Sequence, residues 1–128
     1  MLEIKSLDHL VLTVVDLQSA LNFYQHVLNM KVTQFADDRY ALKYGSQKIN
    51  LHVAGKEFEP KSKQPTPGSA DLCFITETEI EDVVAHLQTC DIEIIEGPVE
   101  RTGAVGKLMS IYVRDPDGNL IEVSNLIS

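Results

Sequence analysis

The sequence is poor in basic residues and in cysteine, and both shortages exclude classes of function. Only 11 Lys and Arg residues stand against 19 Asp and Glu, which gives a formal net charge of −8 over 128 residues. This charge opposes general binding to nucleic acid or to anionic membranes. The two cysteines, Cys73 and Cys90, are too few for a disulfide framework and suit reduced, buried positions. We therefore expect neither a nucleic-acid partner nor a disulfide scaffold.

The sequence also lacks a long apolar run and a secretory signal. No apolar stretch approaches the roughly 20 residues that span a bilayer. The N-terminus carries Glu3 where a signal peptide has basic residues, and the apolar run 10–15 ends at Asp16. We expect a cytoplasmic protein with no membrane partner. Its composition, 44% hydrophobic and 23% charged, is that of an ordinary globular chain.

One order of predicted elements occurs twice along the chain. Apolar alternation and helical spacing predict strand, helix and three strands in each half. The first half comprises strand 7–15, helix 17–29 and strands 31–35, 40–44 and 49–53. The second half comprises strand 70–76, helix 79–90 and strands 92–96, 107–114 and 119–125, with a glycine-bearing loop at 97–106. We therefore predict an α+β fold with two βαβββ modules, 4–54 and 70–125, in one domain that spans 1–128.

Residues 55–69 have the composition of a linker between the modules. This segment carries three prolines and two glycines, too many for a helix or a central strand. About 15 extended residues would span roughly 45 Å. The linker is therefore predicted to be long enough to place the second module against another molecule.

Four polar side chains are predicted to lie on the concave faces of the two sheets. Strand alternation places His9 and His52 inward in the first module, and Asp71 and Glu122 inward in the second. Aligning the halves sets His9 over Asp71 and His52 over Glu122. Two interpretations remain open. Either the four groups bind a divalent ion, or His9 and Glu122 form hydrogen bonds inside a packed core and the others lie half-exposed at strand ends.

The residue types decide which ion the first interpretation allows. Two nitrogen and two oxygen ligands suit a borderline transition metal, and they do not match thiolate sites or all-oxygen calcium sites. Arg101 and Lys107 are cations near the loop and strand of the second half. Arg101 either reaches over the concave mouth to an anionic group of a substrate or is a solvated surface residue.

Three segments resemble the vicinal oxygen chelate superfamily of glyoxalases, bleomycin-resistance proteins and extradiol dioxygenases. They are residues 7–12 (LDHLVL), 20–30 (ALNFYQHVLNM) and 114–122 (RDPDGNLIE). Within the superfamily, other segments look most like glyoxalase domain-containing proteins and bacterial glyoxalase-like virulence proteins; these are 48–52, 55–61 and 97–103. The resemblance implies that each βαβββ module forms a curved half-barrel sheet.

The resemblance also implies a metal centre. His9, His52 and Glu122 match ligand positions, and Asp71 is implied as a fourth ligand or as a partner of a ligand. The implied cofactor is one divalent transition metal per site, either Ni, Zn, Co, Mn or Fe. Glu122 is implied as the catalytic group that transfers a proton, and Arg101 and Lys107 as substrate-binding residues.

The function implied is a metal-dependent glyoxalase-like lyase or isomerase for a small oxygenated substrate, with the hemithioacetal of methylglyoxal among the candidates. The superfamily leaves three alternatives: an Fe(II) ring-opening dioxygenase, a thiol transferase for antibiotic resistance, and a small-molecule-binding protein of the bleomycin-resistance type. The expected assembly is a homodimer with shared sites. Each site would take His9 and His52 from one chain and Asp71 and Glu122 from the other.

Overall fold

A computed structural model describes residues 1–127 and divides the chain into two compact units, Met1–Pro67 and Gly68–Ser128. We call them module one and module two. Each contains one four-stranded mixed sheet and one copy of the βαβββ order. The predicted α+β class and the internal duplication are confirmed.

Module one follows the predicted order with small shifts in its boundaries. Its elements are β1 (His9–Val14), α1 (Leu17–Asn22), β2 (Lys31–Phe35), β3 (Arg39–Tyr44) and β4 (Gln47–Val53). The sheet order is β1-β4-β3-β2, in which β1 and β4 are parallel and the other pairs antiparallel. Asp16 begins α1, because its Oδ2 accepts a hydrogen bond from the Ser19 amide at 2.9 Å. A π-helical stretch, Phe23–Val27, continues α1.

Module two repeats this arrangement. Its elements are β5 (Asp71–Ile75), α2 (Ile80–Thr89), β6 (Glu96–Thr102), β7 (Lys107–Arg114) and β8 (Leu120–Leu126), in the sheet order β5-β8-β7-β6. The apolar stripe of α2 (Ile80, Val83 and Leu87) is buried. No helix within residues 1–127 is long and apolar enough to cross a membrane.

The turn between β7 and β8 contains a buried polar network. Asp115 Oδ1 accepts hydrogen bonds from the amides of Asp117 and Asn119 at 3.0 and 2.9 Å, and its Oδ2 accepts one from Asn119 Nδ2 at 2.7 Å. Asn119 Oδ1 accepts from the amide of Ala70 at 2.8 Å. The network therefore ties this turn to the chain segment that enters β5.

Strand β6 differs from the prediction. The predicted strand 92–96 and loop 97–106 are wrong, because β6 runs from Glu96 to Thr102. Gly97 and Pro98 indicated a loop, yet β6 is an edge strand, where a missing proline amide leaves no ladder bond unmade. A Cβ at residue 97, whose φ is +104°, would collide with the main-chain oxygen of Ser110 on β7. Glycine therefore permits the close approach of the two strands, next to a break in their register.

The predicted linker packs on module one and does not form an extended spacer. Val53 O accepts from the amide of Lys56 at 2.9 Å, and Glu57 Oε2 accepts from the amide of Gly55 at 2.9 Å. The Phe58 ring packs against the His52 ring with 5.6 Å between their centroids. These contacts use Phe58 and the Glu57 carboxylate, whereas the prediction took the prolines, glycines and charged residues of the segment as signs of a linker.

Candidate functional site

Strand register places four chemically reactive side chains in one row across module two. Cys73 of β5 lies opposite Glu122 of β8. Tyr112 of β7 lies opposite Glu122 on one side and opposite Glu96 of β6 on the other. Directly opposed residues of neighbouring strands share a face of the sheet, with Cβ atoms about 5 Å apart. The row therefore brings together a thiol, a phenol and two carboxylates.

The corresponding row of module one carries little chemistry. Val11 of β1 lies opposite Asn50 of β4, Asn50 lies opposite Ala41 of β3, and Ala41 lies opposite Thr33 of β2. Asn50 Oδ1 is buried and has no hydrogen-bond partner among the described residues. An unpaired buried oxygen is costly, and so Asn50 is a candidate ligand that sequence analysis did not weigh.

The two rows correct the internal alignment. Each row starts two residues beyond the first predicted ligand of its module, His9 or Asp71. Asn50 therefore occupies in module one the position of Glu122 in module two. The alignment of His52 with Glu122 is wrong. That alignment assumed β3–β4 and β7–β8 turns of equal length, whereas the β7–β8 turn is longer. His52 lies four residues beyond His9 along the sheet, or about 13 Å.

A cavity of about 590 Å³ lies over the row of module two. Cys73, Tyr112 and Glu122 line it, and the other lining residues are mostly apolar. They are Ile75, Arg101, Thr102, Gly103, Ala104, Val105, Leu108 and Leu126. The volume and the combination of an apolar wall with a few polar groups are typical of small-molecule sites.

Arg101 is held at this cavity through all three of its guanidinium nitrogens. Nε donates to the Tyr112 hydroxyl at 3.0 Å, and Nη1 donates to the main-chain oxygen of Glu100 at 3.1 Å. Nη2 forms an ion pair with the Glu96 carboxylate. The bond to Tyr112 is the main reason that the pKa of Arg101 is raised above its ordinary value. The guanidinium therefore stays charged, and Glu96 balances that charge.

Lys107, the second cation predicted to bind substrate, is paired as well. Its Nζ lies 3.3 Å from Glu100 Oε1, and both side chains are more than half exposed. Lys107 is not among the residues that line the cavity. The role of Arg101 and Lys107 in substrate binding stays a prediction, but each already has an acidic partner.

Two buried serines lie beneath Glu122. Ser124 Oγ donates to Glu122 Oε2 at 3.4 Å and lies 2.6 Å from Ser110 Oγ, and both serines are fully buried. Cys73 Sγ is 3.4 Å from Ser124 Oγ. Cys73 is an exposed residue, so the buried position expected for it is wrong. Partial desolvation of its thiol is the main cause that raises the pKa of Cys73, and the thiol is therefore uncharged near pH 7. Ser124, itself bonded to Ser110, thus orients the carboxylate that lines the cavity.

A smaller cavity of about 240 Å³ lies on the concave face of module one, lined by Val11, Thr13, His52, Pro60, Lys61, Ser62 and Pro65. His52 is only 9% exposed, and the Phe58 ring that packs against it also contacts the Arg39 guanidinium, which lies 4.2 Å from the Phe58 centroid. Burial is the first cause that lowers the pKa of His52, and the Arg39 charge is the second. His52 is therefore a neutral imidazole near pH 7.

The His9 imidazole forms a hydrogen bond with a carboxylate, as metal-binding histidines commonly do. Its Nδ1 lies 2.8 Å from Asp8 Oδ2, and the imidazole is 43% exposed. Hydrogen bonding at Nδ1 assigns Nε2 as the nitrogen that can bind an ion. The same bond is the main cause that lowers the pKa of Asp8.

Each module presents two of the four predicted ligands. His9 and His52 belong to module one, and Asp71 and Glu122 belong to module two. Within residues 1–127, no group of three or more His, Cys, Asp or Glu side chains is placed to hold a metal ion. The predicted ligand set therefore stays a prediction.

The family model of the Glyoxalase/Bleomycin resistance protein/Dioxygenase superfamily matches residues 6–123. The chain belongs to this superfamily. It is 58% identical over 124 residues to "Virulence protein STM3117" of Salmonella typhimurium. The matched residues cover 97% of this chain and 86% of that protein. It is 57% identical over 124 residues to "Glyoxalase domain-containing protein RDO1" of Mycosarcoma maydis. This match covers 97% of this chain and 70% of that protein.

A solved structure supports the same membership. The crystal structure of the Salmonella typhimurium protein superposes with a TM-score of 0.97 at 57% identity, over 98% of this chain and 100% of that one. The predicted resemblance to the glyoxalase and bleomycin-resistance superfamily is thereby confirmed. Neither relative's name states a substrate.

Sequence analysis missed Tyr112, Asn50 and Phe58 as residues of the site. Alternation already placed Asn50 on the face of His52, and this signal was available from the strand pattern alone. Tyr112 lies in a correctly predicted strand, 107–114, but only the register shows that it faces Glu122. Phe58 lies in the segment interpreted as a linker.

Proposed function

We propose that this protein is a metal-dependent glyoxalase-like lyase or isomerase that acts on a small oxygenated substrate. The observation that carries the proposal is the position of Glu122. Its carboxylate lines a cavity of about 590 Å³ and is oriented from beneath by Ser124. A carboxylate that lines a mostly apolar cavity is suited to general acid and base catalysis.

The donor atoms in the two modules fit a divalent transition metal. His9 offers Nε2 because Asp8 occupies its Nδ1, and Glu122 and Asp71 offer carboxylate oxygens. The unpartnered Oδ1 of Asn50 offers a fourth oxygen on the same face as His9. One imidazole nitrogen with several oxygens suits Ni, Zn, Co, Mn or Fe. We propose that His9, Asp71 and Glu122 hold the ion and that Asn50 or His52 completes its shell.

The proposed reaction is the isomerisation of an α-hydroxy carbonyl group. A bound divalent ion would supply Lewis-acid polarisation of the carbonyl and of the neighbouring oxygen. Glu122 removes the proton from the hydroxyl-bearing carbon and returns it to the former carbonyl carbon, while the hydroxyl proton moves to the former carbonyl oxygen, so that no atom is gained or lost.

Elemental analysis of the purified protein, combined with an assay on the hemithioacetal of methylglyoxal, tests this function. We expect one transition-metal ion per chain. Glu122→Gln should abolish turnover, whereas the exposed Glu93→Gln, which removes the same charge, should leave it unchanged. Protein without transition metal, or full turnover by Glu122→Gln, would contradict the proposal.

We further propose a homodimer in which each site is shared between chains. The support is that each module presents one pair of predicted ligands. A two-fold axis that joins module one of one chain to module two of its partner generates two equal sites from one interface. Each site then takes His9 from one chain, and Asp71 and Glu122 from the other.

Mixing two inactive variants tests the shared site. His9→Ala and Glu122→Ala proteins are unfolded and refolded together. Mixed dimers would contain one intact site, and so about a quarter of the wild-type metal content should return if subunits mix at random. Subunit mixing is followed by mass spectrometry of the dimers. Complete mixing without recovery of bound metal would show that the ligands come from one chain.

A non-catalytic binding protein is the second candidate, and the apolar wall of the module-two cavity favours it. Ile75, Leu108 and Leu126 offer contact area but no chemistry. This candidate predicts that Glu122→Gln changes ligand affinity by less than about threefold. Loss of turnover in that variant, with binding retained, would reject it.

A further inference from the structure

We infer which part of a substrate the module-two cavity binds, and this inference rests on the proposed function of that site. The bound part is uncharged, carries an apolar substituent and has one oxygen that accepts a hydrogen bond from Tyr112. This names a substrate class for the cavity. All residues that line the cavity belong to module two.

The module-two cavity has no spare positive charge. Arg101 is the one Lys or Arg among the described residues that line it. All three guanidinium nitrogens already have partners, and the Glu96 carboxylate balances the charge. An anionic substrate group would either displace Glu96 from this ion pair or share the guanidinium with it through the two remaining N–H groups. Displacement gains little, because one carboxylate replaces another, and sharing places two anions side by side.

The acidic residues at the cavity repel an anion. Glu122 lines the cavity, and Asp71 stands on the same strand face as Cys73. These two carboxylates would balance the charge of a divalent ion and leave no excess of positive charge. The formal net charge of the chain, −8, adds long-range repulsion.

The Tyr112 hydroxyl is the polar contact that the cavity offers to a substrate. The Tyr112 hydroxyl accepts a hydrogen bond from Arg101 Nε at 3.0 Å, and so its own hydrogen is available to another acceptor. A bond from a cation polarises the hydroxyl and strengthens it as a donor. Tyr112 lies directly opposite Glu122, and both residues line the same cavity, one as this donor and the other as the proposed proton-transfer group. A substrate carbonyl or hydroxyl oxygen fits this position.

Exposed apolar side chains are the apolar contact that the cavity offers to a substrate. Val105, 84% exposed, stands on the loop between β6 and β7, while Ile75 and Leu126 are each at least half exposed. All three line the cavity together with Ala104 and Leu108. Exposed apolar side chains that gather at one cavity indicate a ligand that covers them. A hydrocarbon or aromatic substituent supplies that cover.

Two matched probes test the charge preference. 1-Phenyl-1,2-ethanediol and mandelate share a phenyl group and a hydroxyl, and they differ in carrying a CH₂OH or a carboxylate. Dissociation constants are measured by protein NMR titration, which also shows whether residues of the cavity respond. Titrations use the protein as purified and again after treatment with a chelator. We expect the diol to bind about tenfold or more tightly than mandelate to the chelator-treated protein.

Two charge-matched variants locate the cause. Glu96→Gln frees Arg101 and should shift the affinity ratio at least about fivefold toward mandelate. Glu100→Gln removes the same charge from the same strand but only from the Lys107 pair, and it should leave the ratio unchanged. Tyr112→Phe should weaken diol binding about fivefold while leaving the protein folded.

Tighter binding of mandelate to the chelator-treated wild-type protein would overturn the inference, as would equal shifts in Glu96→Gln and Glu100→Gln. Failure of both probes to perturb cavity residues would overturn it as well. These outcomes are independent of the metal content. An absent metal therefore refutes the proposed lyase function alone, whereas an anion preference in the metal-depleted protein refutes this inference alone.

Discussion

The same four positions of the two sheets carry different chemistry. In module two the row across the strands reads Cys73, Glu122, Tyr112 and Glu96, and in module one it reads Val11, Asn50, Ala41 and Thr33. Backbone order and strand pairing are repeated, whereas the reactive groups are concentrated in one copy. The comparison teaches that the repeat sets the geometry of this fold and that a few inward side chains set its function.

The largest expected difference between the rows is in metal binding. Glu122→Ala removes a charged ligand, and we expect metal affinity to fall by about 100-fold or more. Asn50→Ala, at the equivalent position of module one, removes only a neutral oxygen and should cost about tenfold or less. Competition titration with a fluorescent chelator measures both.

His52→Ala decides between the two candidates for the fourth ligand in the same titration. His52 lies two residues beyond Asn50, and the register separates it from His9 by about 13 Å. We expect no more than a twofold change in metal affinity for this variant. A larger loss than in Asn50→Ala would restore His52 as the ligand predicted from sequence.

The turns that close the two sheets should differ next in stability. Asn119→Ala breaks the buried network with Asp115 in module two, leaving groups unpaired, and should lower the free energy of unfolding by about 2–3 kcal/mol. The counterpart Ser46→Ala, in the short turn of module one, should change it by less than about 0.5 kcal/mol. Urea denaturation followed by circular dichroism measures both values. Equal losses would show that the network is not what distinguishes the turns.

The segments that border the two cavities should differ to a smaller extent. Phe58→Leu removes the aromatic contact with His52 and the contact with the Arg39 guanidinium, and should destabilise the protein by about 1 kcal/mol. Val105→Ala, on the exposed loop over the other cavity, should leave stability unchanged. Thermal unfolding compares the two variants. A large loss from Val105→Ala would mean that this loop is packed rather than open to ligand.

The smallest expected difference lies at the two helix starts and depends on pH. Asp16 caps α1 through its side chain, whereas Glu79 makes no such bond at α2. The bond to Ser19 is the main cause that lowers the pKa of Asp16. Because the folded-state pKa is lowered, this contribution is present above the ordinary value near 3.8 and is lost as pH falls through the folded-state pKa.

The melting temperature of Asp16→Ala should accordingly lie a few degrees below that of the wild type at pH 7 and approach it in strong acid. Asp16→Asn retains a capping oxygen at every pH and should show no such convergence. Glu79→Ala should have no measurable effect at pH 7. An Asp16→Ala difference that persists unchanged in acid would show that the charge of the carboxylate does not matter.

Local sequence patterns were sufficient for most of this fold. The β2 and β7 boundaries match the predicted ones, and the heptad-like stripe of α2 is buried as expected. Strand β6 was missed because Gly97 and Pro98 interrupt regular secondary structure in most contexts, whereas an edge strand tolerates them. Whether a strand lies at an edge is a property of the sheet, and no local pattern contains it.

The site was less predictable because it depends on register. Alternation correctly placed His52 and Glu122 on faces that line cavities. It could not show that Asn50 stands opposite Val11, since the length of a turn decides which residues of two strands meet. It also could not show that the charge of Arg101 is balanced by Glu96. Side-chain pairs across strands are therefore the part of the site that sequence leaves open.

The parallel pairing of the first and last strand in each module has a consequence for the order of synthesis. β1 cannot complete its ladder until β4 has been made, and β5 likewise waits for β8. All partners of β1 have left the ribosome once Val53 emerges, well before Leu120 is translated. The first sheet can therefore close while the second is still being translated, and nascent β5 is the unpaired edge that remains exposed longest.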